Sequence, residues 1–273
     1  MSRDVLTRIA PPPDHTAAYG PDPDNVIDIW SPKRGQVTAP LVVVIHGGFW
    51  KAEYNRMHSR PMANALAAEG YAVAVPGYRR VGSPGGGGWP ETFDDIAAAL
   101  DATGHLAAPY GADPSRTVWV GHSAGGHLAL WAAARHRLPP ESPWYAQRRS
   151  VGVVSLAGCN SLKLGAEWNE GDGAVASLLG GTPTEVPERY AAADPAALLP
   201  SGAPATLVHG TEDHVVRVAM SREYTALATA AGDDVSMVEL PGVEHFGLID
   251  PLSDAWPHVL AAITAAVPVA REQ

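Results

Sequence analysis

The sequence has a single cysteine, Cys159, so no disulfide can close within the chain and a reducing compartment fits best. It also lacks a long apolar run. LVVVI, from Leu41, is far too short to cross a hydrocarbon layer of about 30 Å. The first residues, MSRDVLTRIAPPPDH, hold no apolar signal-peptide core, so the expected location is the cytoplasm. Basic residues are in deficit: 19 Lys and Arg against 29 Asp and Glu leave a net charge of -10. A surface of that sign repels phosphate backbones and anionic lipid heads, which argues against nucleic acid and membrane partners and leaves a small molecule. The histidines show no H-E-x-x-H or other ligand spacing, so no metal is expected. The glycine run PGGGG (84–88) is not followed by the Lys-Ser or Lys-Thr of a phosphate-binding loop and reads as a surface loop. No internal repeat is visible, and no pattern reports the oligomeric state.

What is present is an alternation. With 273 residues and a 46% apolar fraction, the chain suits one α/β domain over 1–273, after a Pro- and Asp-rich, irregular lead-in at 1–24. NVIDIW (25–30) alternates like a half-exposed edge strand. LVVVI (41–45), YAVAV (71–75), TVWVG (117–121), VGVVSLAG (151–158), ATLVHG (205–210) and VSMVEL (235–240) read as strands, the first three as buried on both faces. Helical spacing separates them at 61–70, 93–106, 124–136 and 216–232, and again at 255–267. This order predicts a mostly parallel, doubly wound sheet flanked by helices, with chemistry in the loops beyond the strands' carboxyl ends. The segment 160–204, with one helix expected at 173–181, is too long for a structureless loop and reads as a small lid or excursion.

The stretch VWVGHSAGGHLALW (118–131) runs from an apolar strand into a helix, with Ser123 at the corner. Such a corner strains its apex residue, and Gly121 and Gly125 remove the side chains that would clash with the neighbouring strand and helix. The pattern is G-x-S-x-G, the nucleophile elbow, and it makes Ser123 the candidate nucleophile. A serine needs a base, and the base needs an orienting acid, in the chain order Ser, Asp or Glu, His. LVHGTEDHVV follows a strand and supplies Asp213, favoured over Glu212, which reads as a solvated loop charge. VELPGVEHFGLIDP follows the next strand and supplies His245.

Acyl chemistry also needs donors for an oxyanion, each typically worth ~3 kcal/mol. HGGFW (46–50) follows a buried strand, so the expected donors are the backbone N–H groups of Gly48, Phe49 and Ala124, with His46 bracing the loop. Trp50, Trp89 and Trp168 are the expected substrate-binding aromatics, on the view that they reach the rim of the site, with core or lid packing as the alternative. Arg79 and Arg80 could meet a substrate carboxylate, although structural pairs with nearby Asp residues are favoured.

Taken together, HGGFW (46–50), GHSAGG (121–126), HGTED (209–213) and EHFGLIDP (244–251) resemble the α/β-hydrolases of the esterase/lipase group over about residues 20–268. Within that group the HGG-aromatic-Trp variant is similar to the kynurenine formamidase (arylformamidase) branch and to small carboxylesterases. The resemblance implies the α/β-hydrolase fold, no cofactor, and a serine hydrolase cleaving a formamide or short carboxylic ester through an acyl-enzyme, with Ser123, His245 and Asp213 as nucleophile, base and acid. It departs from the hormone-sensitive-lipase-like enzymes in showing no long N-terminal cap, which leaves the pocket open or covered by 160–204 alone. An acyltransferase or thioesterase, and a non-catalytic binding protein on the same scaffold, remain the alternatives.

Overall fold

The computed structural model describes residues 3–34, 38–148 and 151–268, so Met1 and Ser2 of the lead-in lie outside the described residues. A one-turn helix α1 (Asp4–Thr7) precedes strands β1 (His15–Ala18), β2 (Val26–Trp30) and β3 (Ala39–Ile45). Alternation follows: α2 (Arg60–Glu69), β4 (Ala72–Pro76), α3 (Glu91–Ala107), β5 (Ala112–His122), α4 (Ala124–Ala133) and β6 (Gly152–Leu156). Then come α5 (Leu162–Glu167), α6 (Ala174–Leu179), α7 (Pro187–Ala193), β7 (Ala205–Gly210), α8 (Val218–Ala230), β8 (Val235–Leu240) and α9 (Trp256–Ala265).

The sheet order is β1-β2-β4-β3-β5-β6-β7-β8. The pairs β1·β2 and β2·β4 are antiparallel and the rest are parallel. The expected edge strand NVIDIW is therefore internal, because part of the supposed lead-in forms β1 and pairs Ala17 with Ile27. The excursion at 160–204 holds three short helices instead of the one expected, and it is packed, with Leu162, Val175 and Leu178 buried. Buried Asp194 ties it together by accepting from the Ser161 hydroxyl and from the N–H groups of Lys163 and Ala196.

Strand periodicity builds two apolar layers. Leu41, Val43 and Ile45 of β3 face one layer with Phe93, Leu128 and Trp131, while Val42 and Val44 face the other with Met62, Leu66 and Ile263. Helices α3, α4 and α8 thus cover one face, and α2 and α9 the other. Both faces of the central strands are covered, which is why these strands read as continuous apolar runs.

Topology places the site. From β3 the chain moves outward to β4, then crosses back over β3 to β5. The carboxyl ends of β3 and β5 adjoin, with Ile45 in register with Gly121, and their following loops diverge, which is where a crevice opens in such sheets. Gly125 makes the approach possible: a Cβ there would lie 2.0 Å from the Ile45 carbonyl oxygen, and one at Gly121 would lie 2.0 Å from the carbonyl oxygen of Gly125. No helix among the described residues is long and apolar enough to cross a membrane.

Because the Gly125 clash is with the backbone of β3, it is relieved only by separating β3 from the β5–α4 corner. Gly125→Ala is expected to cost at least ~3 kcal/mol, lowering Tm by several degrees. Calorimetry checks this, and an unchanged Tm would contradict the packing described.

Candidate active site

Ser123 sits directly between β5 and α4 with φ 56° and ψ -118°, a left-handed conformation that costs a non-glycine residue of the order of 1–3 kcal/mol. The corner is clamped. The Ser123 N–H donates to the Leu156 carbonyl on β6 at 2.9 Å, and its own carbonyl accepts from Gly126 at 2.9 Å and from Cys159 at 3.2 Å. Ala124 is the first residue of α4, so its N–H belongs to the free donor end of a ten-residue helix.

Asp213 lies in the loop after β7, wholly buried, and its carboxylate is fully engaged. Oδ1 accepts from the N–H groups of Val215 at 2.8 Å and Val216 at 2.9 Å. Oδ2 lies 2.6 Å from His245 Nδ1, in the loop after β8, and 3.2 Å from His209 Nε2, on β7 itself. Burial alone would raise this carboxyl, but the hydrogen bonds from His209, His245 and Val216 outweigh it and hold it well below the usual carboxylate range. Glu212, by contrast, is exposed.

His209 had no assigned part in the sequence, and the structure makes it the second imidazole on Asp213. Its Nε2 also lies 2.9 Å from the Val216 carbonyl. A carbonyl only accepts, so Nε2 carries the proton and Nδ1, 2.8 Å from Ser221 Oγ, is left to accept. Upstream, Asn160 Nδ2 donates to Ser221 Oγ at 3.0 Å, and Ser155 Oγ donates to Asn160 Oδ1 at 2.7 Å. The donors of this buried chain run from β6 through α8 to His209 on β7, whose Nε2–H bonds the Val216 carbonyl with the Asp213 carboxylate 3.2 Å away, and aligned bonds of this kind polarise one another. The sequence signal was a histidine at a strand end four residues before the acid, which by itself has many readings.

The loop after β3 carries three successive positive φ values, at Gly48, Phe49 and Trp50. His46 is fully buried, stacks on Tyr78 at 4.3 Å between centroids, and its carbonyl accepts from the Tyr78 hydroxyl at 2.8 Å. Burial pushes its imidazole well below 6.5, so it is neutral and braces the loop. Ser123, His245, Gly48 and Phe49 line one cleft, and Asp213 stands behind His245.

The three tryptophans are placed elsewhere, and none lines that cleft. Trp50 is buried, edge-on to His127 at 5.3 Å, because the reversing backbone turns consecutive side chains of the loop in opposite directions. Trp89 packs on Trp144 at 4.8 Å and Phe93 at 5.5 Å, in the helical layer. Trp168 lies under the Arg217 guanidinium at 5.5 Å. Arg79 pairs with Asp95, and Arg80 with Asp24. The cleft is lined instead by residues that sequence reasoning passed over: Leu6 of α1, Tyr54, His58, His122 and Phe246. That residues 6 and 245 line one cleft leaves no local signal in the sequence. Among the described residues, no group of three or more His, Cys, Asp or Glu could hold a metal ion.

The BD-FAE family model matches residues 27–227. This chain belongs to the BD-FAE family. Esterase LipQ of Mycobacterium tuberculosis is 28% identical over 83% of this chain and 55% of its own length. The probable isoprenylcysteine alpha-carbonyl methylesterase ICME of Oryza sativa is 25% identical over 86% of this chain and 58% of its own. The chain thus spans a little over half the length of these curated relatives. The crystal structure of esterase B from Lactobacillus Rhamnosis superposes with a TM-score of 0.76 at 22% identity, over 96% of this chain and 87% of that one. The fold of this BD-FAE member is therefore the α/β-hydrolase fold expected from its motifs.

Removing His209 should loosen Asp213 without touching the cleft. His209→Gln is expected to lower kcat on an activated ester roughly 10- to 100-fold and leave KM within about threefold, with the acid limb of the pH profile displaced. An unchanged kcat and profile would show the second imidazole to be dispensable. A second prediction concerns stability. Burial holds His58 and His127 neutral, down to about 4, against 6.5 in an unfolded chain. Below 6.5 the unfolded chain takes up protons that the folded one refuses, so stability is complete above that pH and falls toward pH 4, by up to about 1.4 kcal/mol per pH unit for each imidazole. The urea midpoint is expected to be clearly lower at pH 5 than at pH 7.5, and equal midpoints would contradict this.

Proposed function

We propose that this chain is a serine hydrolase of carboxylic esters, acting through an acyl-enzyme on Ser123 and working in the cytoplasm on a small molecule without a cofactor. One observation carries the reading: His245, held by Asp213 at 2.6 Å, lines the same cleft as a serine in a strained elbow. His245 takes the Ser123 proton as Oγ attacks the ester carbonyl, then returns it to the departing alcohol. In the second half, it activates the water that releases the acid. Asp213 fixes the ring and stabilises the imidazolium. The N–H groups of Gly48, Phe49 and Ala124 stabilise the oxyanion of each tetrahedral intermediate. LipQ and the methylesterase relative are named as ester hydrolases, which supports the ester as substrate class.

The formamide reading drew on the HGG-aromatic-Trp motif and on aromatics at the rim; of these Phe49 lines the cleft, while Trp50, Trp89 and Trp168 do not, so less favours a flat aryl amine than an ester. Acyl transfer drew on 160–204 to exclude water, and no residue of that segment lines the cleft.

Ser123→Ala is expected to lower kcat/KM on p-nitrophenyl acetate by at least about 10⁴-fold with Tm unchanged. The native protein should turn over that ester well ahead of N-formylkynurenine. An active Ser123→Ala protein, or a formamide that outruns the ester, would contradict the proposal.

A further inference from the structure

The cleft beside Ser123 has a volume of about 20 Å³, room for about one water molecule and less than even a two-carbon acyl group needs. Next to it lies a groove of about 570 Å³, the size of pockets that hold ligands. The two spaces share three lining residues, Leu6, Tyr54 and His58, which therefore form the partition between them. On its far side the groove presents apolar side chains to water: Ile9 is 98% exposed and Met57 51%. The partition thus separates the groove from Ser123.

Leu6 is the part of that partition with the weakest backbone support. It belongs to α1, a single turn of four residues without a side-chain N-cap bond, and one turn is not stable on its own. Three anchors hold α1 in place. Val5 is buried in the apolar cluster that includes Met62 and Leu248. Arg8 forms a two-pronged pair with Asp250, its Nη2 lying 2.8 Å from Oδ2. The Arg3 guanidinium lies 5.6 Å over the Phe246 ring. Phe246 and Asp250 lie in and at the end of the short turn that begins at His245, so α1 is fastened to the same segment whose histidine it covers.

Resting on the ester-hydrolase reading above, we propose that Leu6 is the gate and specificity-determining residue of this site. When α1 lifts, cleft and groove merge, and the unbranched apolar chain of an ester lies between Ile9 and Met57 with its carbonyl at Ser123. The chain could sit on the acyl or on the alkoxy side, and the same apolar surface would take either.

Two measurements test this. The first is kcat/KM for p-nitrophenyl octanoate (acyl chain) and octyl acetate (alkoxy chain), each relative to p-nitrophenyl acetate. Leu6→Ala should raise at least one of these ratios about tenfold, and Leu6→Trp should lower the same one by a similar factor; whichever ratio moves identifies the side. The second needs no turnover. In Ser123→Cys the new thiol reports access to the cleft, and the native Cys159 is buried with its thiol pushed up by burial, so its background is low. Modification by 5,5′-dithiobis(2-nitrobenzoate) should be about tenfold faster when Arg8→Ala or Leu6→Ala is added. Ratios within twofold of the native protein in both Leu6 variants, or a thiol rate indifferent to Arg8→Ala, would overturn the gate. If no ester is hydrolysed by any form, the hydrolase reading falls and the thiol rates alone decide the gate.

Discussion

The site depends on one buried charge. Asp213 is ionised in surroundings where a lone carboxylate would take up a proton instead of bearing the cost of desolvation. It stays charged because two backbone N–H groups and two imidazoles converge on it. Those donors come from different parts of the chain: the loop after β7, β7 itself, and the loop after β8. The hydrogen-bond chain through Ser221, Asn160 and Ser155 adds α8 and β6. Keeping one carboxylate charged therefore cross-links the half of the sheet that carries His245. A buried pair of this kind contributes little net stability, and its value lies in fixing a single arrangement.

The other half of the site is fixed by contact distances. Gly125 sits against the Ile45 carbonyl, so the helix after Ser123 begins where β3 ends, and the Gly48–Phe49 loop must emerge beside Ser123. The backbone is strained on both sides of this contact, at Ser123 on one and at Phe49 and Trp50 on the other. Strain of that kind persists only where surrounding packing over-determines it, and here the bracing comes from His46 on Tyr78 and from the Ser123 bonds to β6. The arrangement follows from the sheet order, because only β3 and β5 adjoin at the point where successive connections part.

Much of this was legible in the residues. The central strands could be read because burial on both faces leaves uninterrupted apolar runs, as in Leu41–Ile45. The elbow could be read because its glycines are demanded by distances of 2.0 Å, and chain order then pointed to Asp213 and His245. Other features had no local signature. Strand β1 is short and mostly exposed, so HTAA offers no alternation. Whether Trp50 faces the cleft or the core depends on φ angles that its neighbours impose, and Trp89 is directed by partners as distant as Trp144. Leu6 reaches the cleft through anchors some 240 residues along the chain, at Phe246 and Asp250, which left the N-terminal segment looking like an idle lead-in. His209 was visible as a residue, but its bond to Asp213 required the β7 turn to fold back on itself.

The central claim is that Ser123 is a nucleophile activated by His245 under the control of Asp213. Covalent capture tests it most directly: incubation with an alkyl fluorophosphonate, followed by peptide mass spectrometry and a rate measurement with Asp213→Asn alongside. The account predicts a single phosphonyl adduct on the peptide containing Ser123, forming at least about 100-fold more slowly in Asp213→Asn. An adduct on another residue, no adduct at all, or equal rates in the two proteins would contradict it.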